Sequence, residues 1–336
     1  MQARLRQTAR LVVAATLHYS GALALWRIFL RGVLRRRDVC VLGLHRVLSE
    51  EERRRSNSAP AMVVSETTFE KVLEYLHHHF RFILLDALLL PDGMDATGKK
   101  PFCAITFDDG WRDTYSNAFP LLKKYGTPAT VLVTTGAVGT KGGFWIERLR
   151  RSGIPAEAKE ALPRELGPEP DVSVVVEWLK HMPIEQRERH LRRILGPEAG
   201  DGKSGENDAM LTWSQVAEMS REGVEIGAHT VNHPLLVYED NETVERELEE
   251  SKRAIEERLR KPVRAFAYPN GDWDERVRSG VVRAGYLCAF TTRTGWFRPE
   301  GDFHTIPRIL LHEGNVTGPG RKFSVAMLDL TLAGWR

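Results

Sequence analysis

Short apolar runs alternate with amphipathic stretches along most of this chain. Val39 to Leu44, Phe102 to Phe107 and Ala129 to Thr134 each read as a core strand. The series continues with Val224 to Ala228, Ala265 to Tyr268, Leu287 to Thr291 and Ile306 to Leu311. Between these runs, helical spacing predicts a helix from Phe69 to Phe80, entered after Ser65, and one from Asp113 to Tyr125, closed by Gly126. Two more are predicted at Glu242 to Leu259 and Glu275 to Ala284. Strands that alternate with helices in this way imply a parallel sheet or a barrel.

Two segments break the rhythm. Residues 145–210 are rich in Arg, Glu and Pro with periodic Leu and Trp, and read as a helical insertion between two barrel strands, with a polar loop around Gly196 to Asp208. Residues 1–37 read as a basic amphipathic helix. Arg27, Arg31 and Arg35 recur on one face, and Leu30, Val33 and Leu34 can occupy another. His18, Tyr19, Ser20 and Arg27 interrupt the apolar stretch 11–30, whereas a transmembrane helix needs about 20 clean apolar residues. The leader is therefore expected to rest on an anionic membrane surface, with docking on the body or an uncleaved signal anchor as the alternatives. Residues 38–336 form the main domain.

Composition narrows the class. Apolar content of 42% and charged content of 28% exclude a disordered chain. The net charge of +3 conceals a leader with eight arginines and no acid, at +8, which leaves −5 for the remainder. A mildly acidic body lacks the basic stripe of a nucleic-acid binder. Cys40, Cys103 and Cys288 each sit in an apolar run with no CxxC, so buried free thiols are expected. The odd cysteine count and the absence of a convincing cleavage site favour a cytoplasmic or peripherally membrane-associated location.

The chemistry concentrates in two motifs. Thr106-Phe107-Asp108-Asp109-Gly110 follows a strand and places two carboxylates side by side, a repulsive arrangement that calls for a compensating cation. His229-Thr230-Val231-Asn232-His233 also follows a strand, and two imidazoles at this spacing can chelate one metal. Gly227 and Pro234 favour a strand-to-loop setting over a mid-helix face. One Asp with two His is a ligand set that leaves positions open for water and substrate, with the second carboxylate spare as a general base.

These two motifs resemble the signatures of the polysaccharide deacetylases, the NodB-homology or carbohydrate esterase family 4 enzymes. Leu211-Thr212-Trp213-Ser214 and Phe266-Ala267-Tyr268-Pro269-Asn270-Gly271 also resemble this family, over roughly residues 39 to 315 with the insertion set aside. The resemblance implies a distorted (β/α)7 barrel and hydrolytic removal of N-acetyl groups from GlcNAc-type units of a polysaccharide or glycolipid. It implies Asp109, His229 and His233 as ligands of a divalent metal, commonly zinc, and Asp108 as catalytic base. A backbone N–H near Tyr268 would face the oxyanion. Ile309-Leu310-Leu311-His312 resembles the last motif, which makes His312 the candidate catalytic acid.

Two positions depart from the pattern. Ala267 stands where many members carry an arginine that orders the base, and Arg308 is the candidate replacement from a neighbouring strand. On this reading Arg308→Ala loses activity but keeps its fold and its metal. The fourth motif's Asp-Trp pair is not recognisable near Cys288 to Gly295; Asp272-Trp273 follows Gly271 instead and is expected to line the substrate groove, with Tyr268 and Pro269. His45, in Gly43-Leu44-His45-Arg46-Val47, is a candidate for lining the site or for a structural hydrogen bond. Trp145 and Trp213 could stack on sugar rings or be buried. An amidase acting on a small non-sugar amide and an inactive glycan-binding member are the alternative functions.

Overall fold

In a computed structural model of the chain, residues 2–22, 25, 38–89, 100–141, 143–159, 162–167, 169–196 and 208–334 are described. The strands among them are β1 (Val39–Leu44), β2 (Arg46–Leu48), β3 (Val63–Ser65), β4 (Arg81–Phe82), β5 (Phe102–Phe107), β6 (Thr130–Val133), β7 (Glu225–Ala228), β8 (Ala265–Ala267), β9 (Cys288–Phe290) and β10 (Ile309–Leu310). Parallel pairing orders them β10-β1-β5-β6-β7-β8-β9, with β4 beside the start of β5. The expected run Ile306 to Leu311 is split at Pro307, which cannot donate to a ladder. Ile306 bridges Phe290 of β9, and Ile309–Leu310 then pairs with β1. That crossover joins the two edges and curls the sheet into a distorted (β/α)7 barrel.

Alternation along the strands sorts side chains to two faces. Cys40, Leu42, Leu44, Cys103, Ile105 and Phe107 point outward into the core shared with the surrounding helices. Val39, Val41, Phe102, Ala104, Leu132, Ala265, Ala267, Phe290 and Ile306 fill the interior. Continued past the strand ends, the inward parity reaches His45, Thr106, Asp108, His229, Arg308 and His312. The register thus gathers the chemistry at the carboxyl end of the barrel, where (β/α) folds carry their sites.

The helices form where expected. Glu66–His79 starts at Ser65, whose side chain accepts from Thr68 N. The helix ending at Tyr125 closes on Gly126 at φ 58°. The small parallel pair β2–β3 has no counterpart in the sequence pattern, because three-residue strands carry no readable period. All three cysteines are buried and free.

Helices Trp145–Ser152, Ala156–Lys159, Val172–Lys180 and Ile184–Leu195 build the insertion between β6 and β7. Trp145, Leu149, Val175, Leu179, Leu191 and Ile194 give it a hydrophobic cluster of its own. In the leader, the Gln2–Tyr19 helix lies against helix Val325–Leu332 through Leu11, Ala14 and Leu17. His18 and Tyr75 both bond to the buried carboxylate of Asp329. The described part of the leader is therefore docked on the body, and no described helix is long and apolar enough to cross a membrane. The face formed by Arg27, Arg31 and Arg35 with Leu30, Val33 and Leu34 lies outside the described residues, as does most of the loop at 196–208.

Candidate metal centre and active site

β5 delivers Asp108 and Asp109 to a tight turn in which Asp109 takes φ 75° and Gly110 φ 85°. A non-glycine residue there is strained and persists only when its surroundings hold it. Asp108 N donates to Leu44 O, and Thr134 N donates to Asp109 O, so β1 and the segment after β6 clamp both sides. β7 delivers His229 and His233 through a loop with positive φ at Thr230 and His233. Glu247, from helix Asn241–Leu259, holds that loop: one carboxylate oxygen accepts Val231 N and Asn232 N at 2.7 and 2.9 Å, and the other accepts Asn232 Nδ2 at 2.7 Å.

Asp109, His229 and His233 bring one ligand atom each within 4.8 Å of the others. Asp109 Oδ1 lies 3.5 Å from Nε2 of both histidines, and the two Nε2 atoms are 3.1 Å apart. His229 Nδ1 lies 2.7 Å from Ala267 O. A carbonyl only accepts, so Nδ1 carries the proton and Nε2 turns its lone pair to the trio. Burial pushes Asp109 up, but the close approach of His229 and the neighbouring imidazoles hold it well below the usual carboxylate range. Burial pulls His229 down, and the nearby carboxylates of Asp109 and Asp108 raise it overall. Burial and the charge of His229 hold His233 down to about 3. Three converging lone-pair atoms that draw in positive charge are the donor set a divalent cation requires, so the residues present fit a metal.

Asp108 lies beside the trio, 2% exposed. Arg308, 0% exposed, grips it with two parallel bonds, Nη1 to Oδ1 at 2.7 Å and Nη2 to Oδ2 at 2.6 Å. Arg308 also donates to Thr106 Oγ1 and Thr291 O. A side chain at Gly43 would lie 3.5 Å from the guanidinium and would press on the tip of the Leu310 side chain, so β1 runs close beneath Arg308 here. Burial pushes Asp108 up, and the charge and bonds of Arg308 outweigh it, which keeps the carboxylate ionised. His45 Nε2 stands 4.0 Å from Asp108 Oδ2. Gly43 and Leu310 are partners across β1 and β10, and His45 and His312 each lie two residues further along, with His312 half-buried at the N-cap of helix Glu313–Val316.

The polysaccharide deacetylase family profile matches residues 95–289 of the chain. The chain belongs to the polysaccharide deacetylase family. A poly-β-1,6-N-acetyl-D-glucosamine N-deacetylase of Staphylococcus aureus is 22% identical over 253 residues, 74% of this chain and 68% of that protein. The fold is similar to that of the Streptococcus pyogenes deacetylase PplD in complex with acetate, with TM-score 0.56, 22% identity, and 84% of this chain and 96% of that one covered. IcaB from Ammonifex degensii gives TM-score 0.55 and 22% identity, covering 82% of this chain and 91% of the other.

The segment Phe266 to Gly271 of this deacetylase carries the end of β8. Tyr268 N donates to Phe290 O within the sheet, so its own N–H is not free to meet an oxyanion. Tyr268 is buried with its hydroxyl on His304 O, and Pro269 is buried at the end of β8. Asp272 accepts from Asn270 Nδ2, and Trp273 packs against the main core. Trp145 is buried in the insertion and Trp213 lies under the Arg258 guanidinium, so neither is a bare sugar platform.

Three neighbours of the site have no place in the sequence motifs. Trp111 Nε1 donates to Asp109 Oδ2 at 2.8 Å. The Phe144 ring lies 4.9 Å from that of His233. Glu147, 1% exposed, has its carboxyl pushed up to about 7 by burial and the charge of Asp109. Trp111 directly follows the Asp-Asp-Gly turn, and that adjacency is the one signal it offers. Phe144 and Glu147 offer none, because their approach depends on how the insertion folds back.

Proposed function

We propose that this deacetylase removes N-acetyl groups from GlcNAc-type units of a polysaccharide or glycolipid, releasing acetate and a free amino sugar. The observation that carries the reading is the convergence of Asp109, His229 and His233 beside an Asp108 carboxylate ordered by Arg308. A divalent ion held by the trio, for which zinc suits two imidazoles and a carboxylate, supplies Lewis acidity toward the acetyl carbonyl and the attacking water.

Asp108 takes a proton from the water as its oxygen bonds to the acetyl carbon. Arg308 occupies the carboxylate edge-on, which fixes its orientation and leaves each oxygen a further lone pair. The C–N bond then breaks, and His312, just past the end of β10, delivers a proton to the departing amine. The outward face of the Gln2–Tyr19 helix, with Val12 and Val13 exposed, together with the arginines of residues 1–37, supports contact with an anionic membrane surface.

Acetate release should be measured on poly-β-1,6-GlcNAc, chitooligosaccharides and peptidoglycan. Activity is expected to vanish with a chelator, return with zinc, and fall roughly 10²-fold or more in Asp108→Asn. No acetate from any of these glycans, or full activity in Asp108→Asn, overturns the assignment. The same preparation should co-sediment with anionic vesicles at low salt and not with neutral ones; equal sedimentation with both removes the membrane part.

A further inference from the structure

Asp109 divides its two carboxylate oxygens between different neighbours. Oδ1 faces both histidine Nε2 atoms at 3.5 Å, and Oδ2 accepts the indole N–H of Trp111 at 2.8 Å. Trp111 is 0% exposed and held on every side. Its backbone bridges Met210, its ring edge meets Phe144 at 5.5 Å, and the Arg46 guanidinium lies 4.2 Å from the ring centroid. Arg46 is itself pinned by Asp113 at 2.9 Å and Asp208 at 3.1 Å. A side chain at Gly143 would come within 3.0 Å of the indole, so the chain narrows to glycine where the ring passes.

We propose that Trp111 is a positioning residue for the metal centre: its indole N–H occupies Asp109 Oδ2 and so makes Asp109 a one-oxygen ligand through Oδ1. An indole nitrogen donates and never accepts, so it steers the carboxylate without competing for the cation. It also stops the carboxylate from turning about its terminal torsion, a broad and soft coordinate when unheld. The stack of Arg46 on the ring, fixed from behind by two aspartates, transmits the rigidity of the barrel and the insertion to one ligand atom. The inference rests on the reading that Asp109 binds the metal.

The test is Trp111→Phe, which keeps an aromatic ring and removes the N–H. With the fold intact by circular dichroism, zinc affinity from competition with a chromogenic chelator should weaken about 10–100-fold. The visible spectrum of the cobalt-substituted variant should lose intensity, as a second carboxylate oxygen joins the metal. Unchanged affinity and an unchanged cobalt spectrum overturn the role of Trp111 alone. Wild-type protein that takes up no zinc or cobalt overturns both this role and the metal reading. If Trp111→Phe does not fold, wild-type protein with ¹⁵N-labelled indoles answers the same question. One exchange-resistant indole N–H among the eight tryptophans should shift on zinc addition, and no shift overturns the proposal.

Discussion

Asp108 and Arg308 are both withdrawn from water, and each is tolerable there only because of the other. Breaking such a pair by removing one partner typically costs about 3–5 kcal/mol, since a buried charge is left uncompensated. The motif pattern alone predicts that Arg308→Ala loses activity without losing stability. With Arg308 fully buried and donating to Asp108, Thr106 and Thr291, it should lose both. Arg308→Lys keeps the charge but not the fork, so it should retain more stability than Arg308→Ala and still lose most activity. Urea unfolding and acetate release on the two variants separate these effects. An alanine variant as stable and as active as wild type would show that Arg308 does not order the base.

At the scale of elements, the loop from His229 to His233 shows what is legible in the sequence and what is not. Its candidate ligands can be read because they lie within one contiguous motif just past an apolar strand. Its support cannot, because periodicity places the helix that carries Glu247 closely but nothing local says which of its glutamates holds the loop. The same holds for Arg308: its candidacy comes from the gap at Ala267, but the two-bond grip needs the β10–β1 register. Trp111 is hidden differently, since an aromatic after a turn reads as ordinary packing. The loop also yields a prediction. Glu247→Gln keeps the shape but turns an N–H₂ toward Asn232 Nδ2, and it weakens the two backbone bonds to Val231 and Asn232 by removing charge. With Thr230 and His233 both at positive φ, the loop should relax and zinc affinity should fall about tenfold or more. Chelator competition on Glu247→Gln checks this, and wild-type affinity would mean the loop holds itself.

At the scale of the whole molecule, the insertion is packed against the catalytic end of the barrel, and Glu147 is where the two meet at an energetic cost. Its carboxyl is 1% exposed, with Arg150 Nη1 3.8 Å away and the charge of Asp109 opposing ionisation. Burial first, then Asp109, raise it from 4.5 to about 7. A group whose folded-state value exceeds its unfolded one stabilises the fold fully below the unfolded value and loses that contribution as pH rises through the folded one. Stability should therefore fall between about pH 5 and pH 7.5 by roughly 3 kcal/mol, since each pH unit between the two values is worth about 1.4 kcal/mol. Glu147→Gln should flatten that slope. The slope should be steepest in chelator-treated protein, because a cation beside Asp109 cancels the charge that opposes Glu147. Urea unfolding of wild type and Glu147→Gln across this range, with and without zinc, tests the coupling directly. Equal slopes in both proteins would mean that Glu147 ionises freely and that the insertion's acid takes no part in the electrostatics around Asp109.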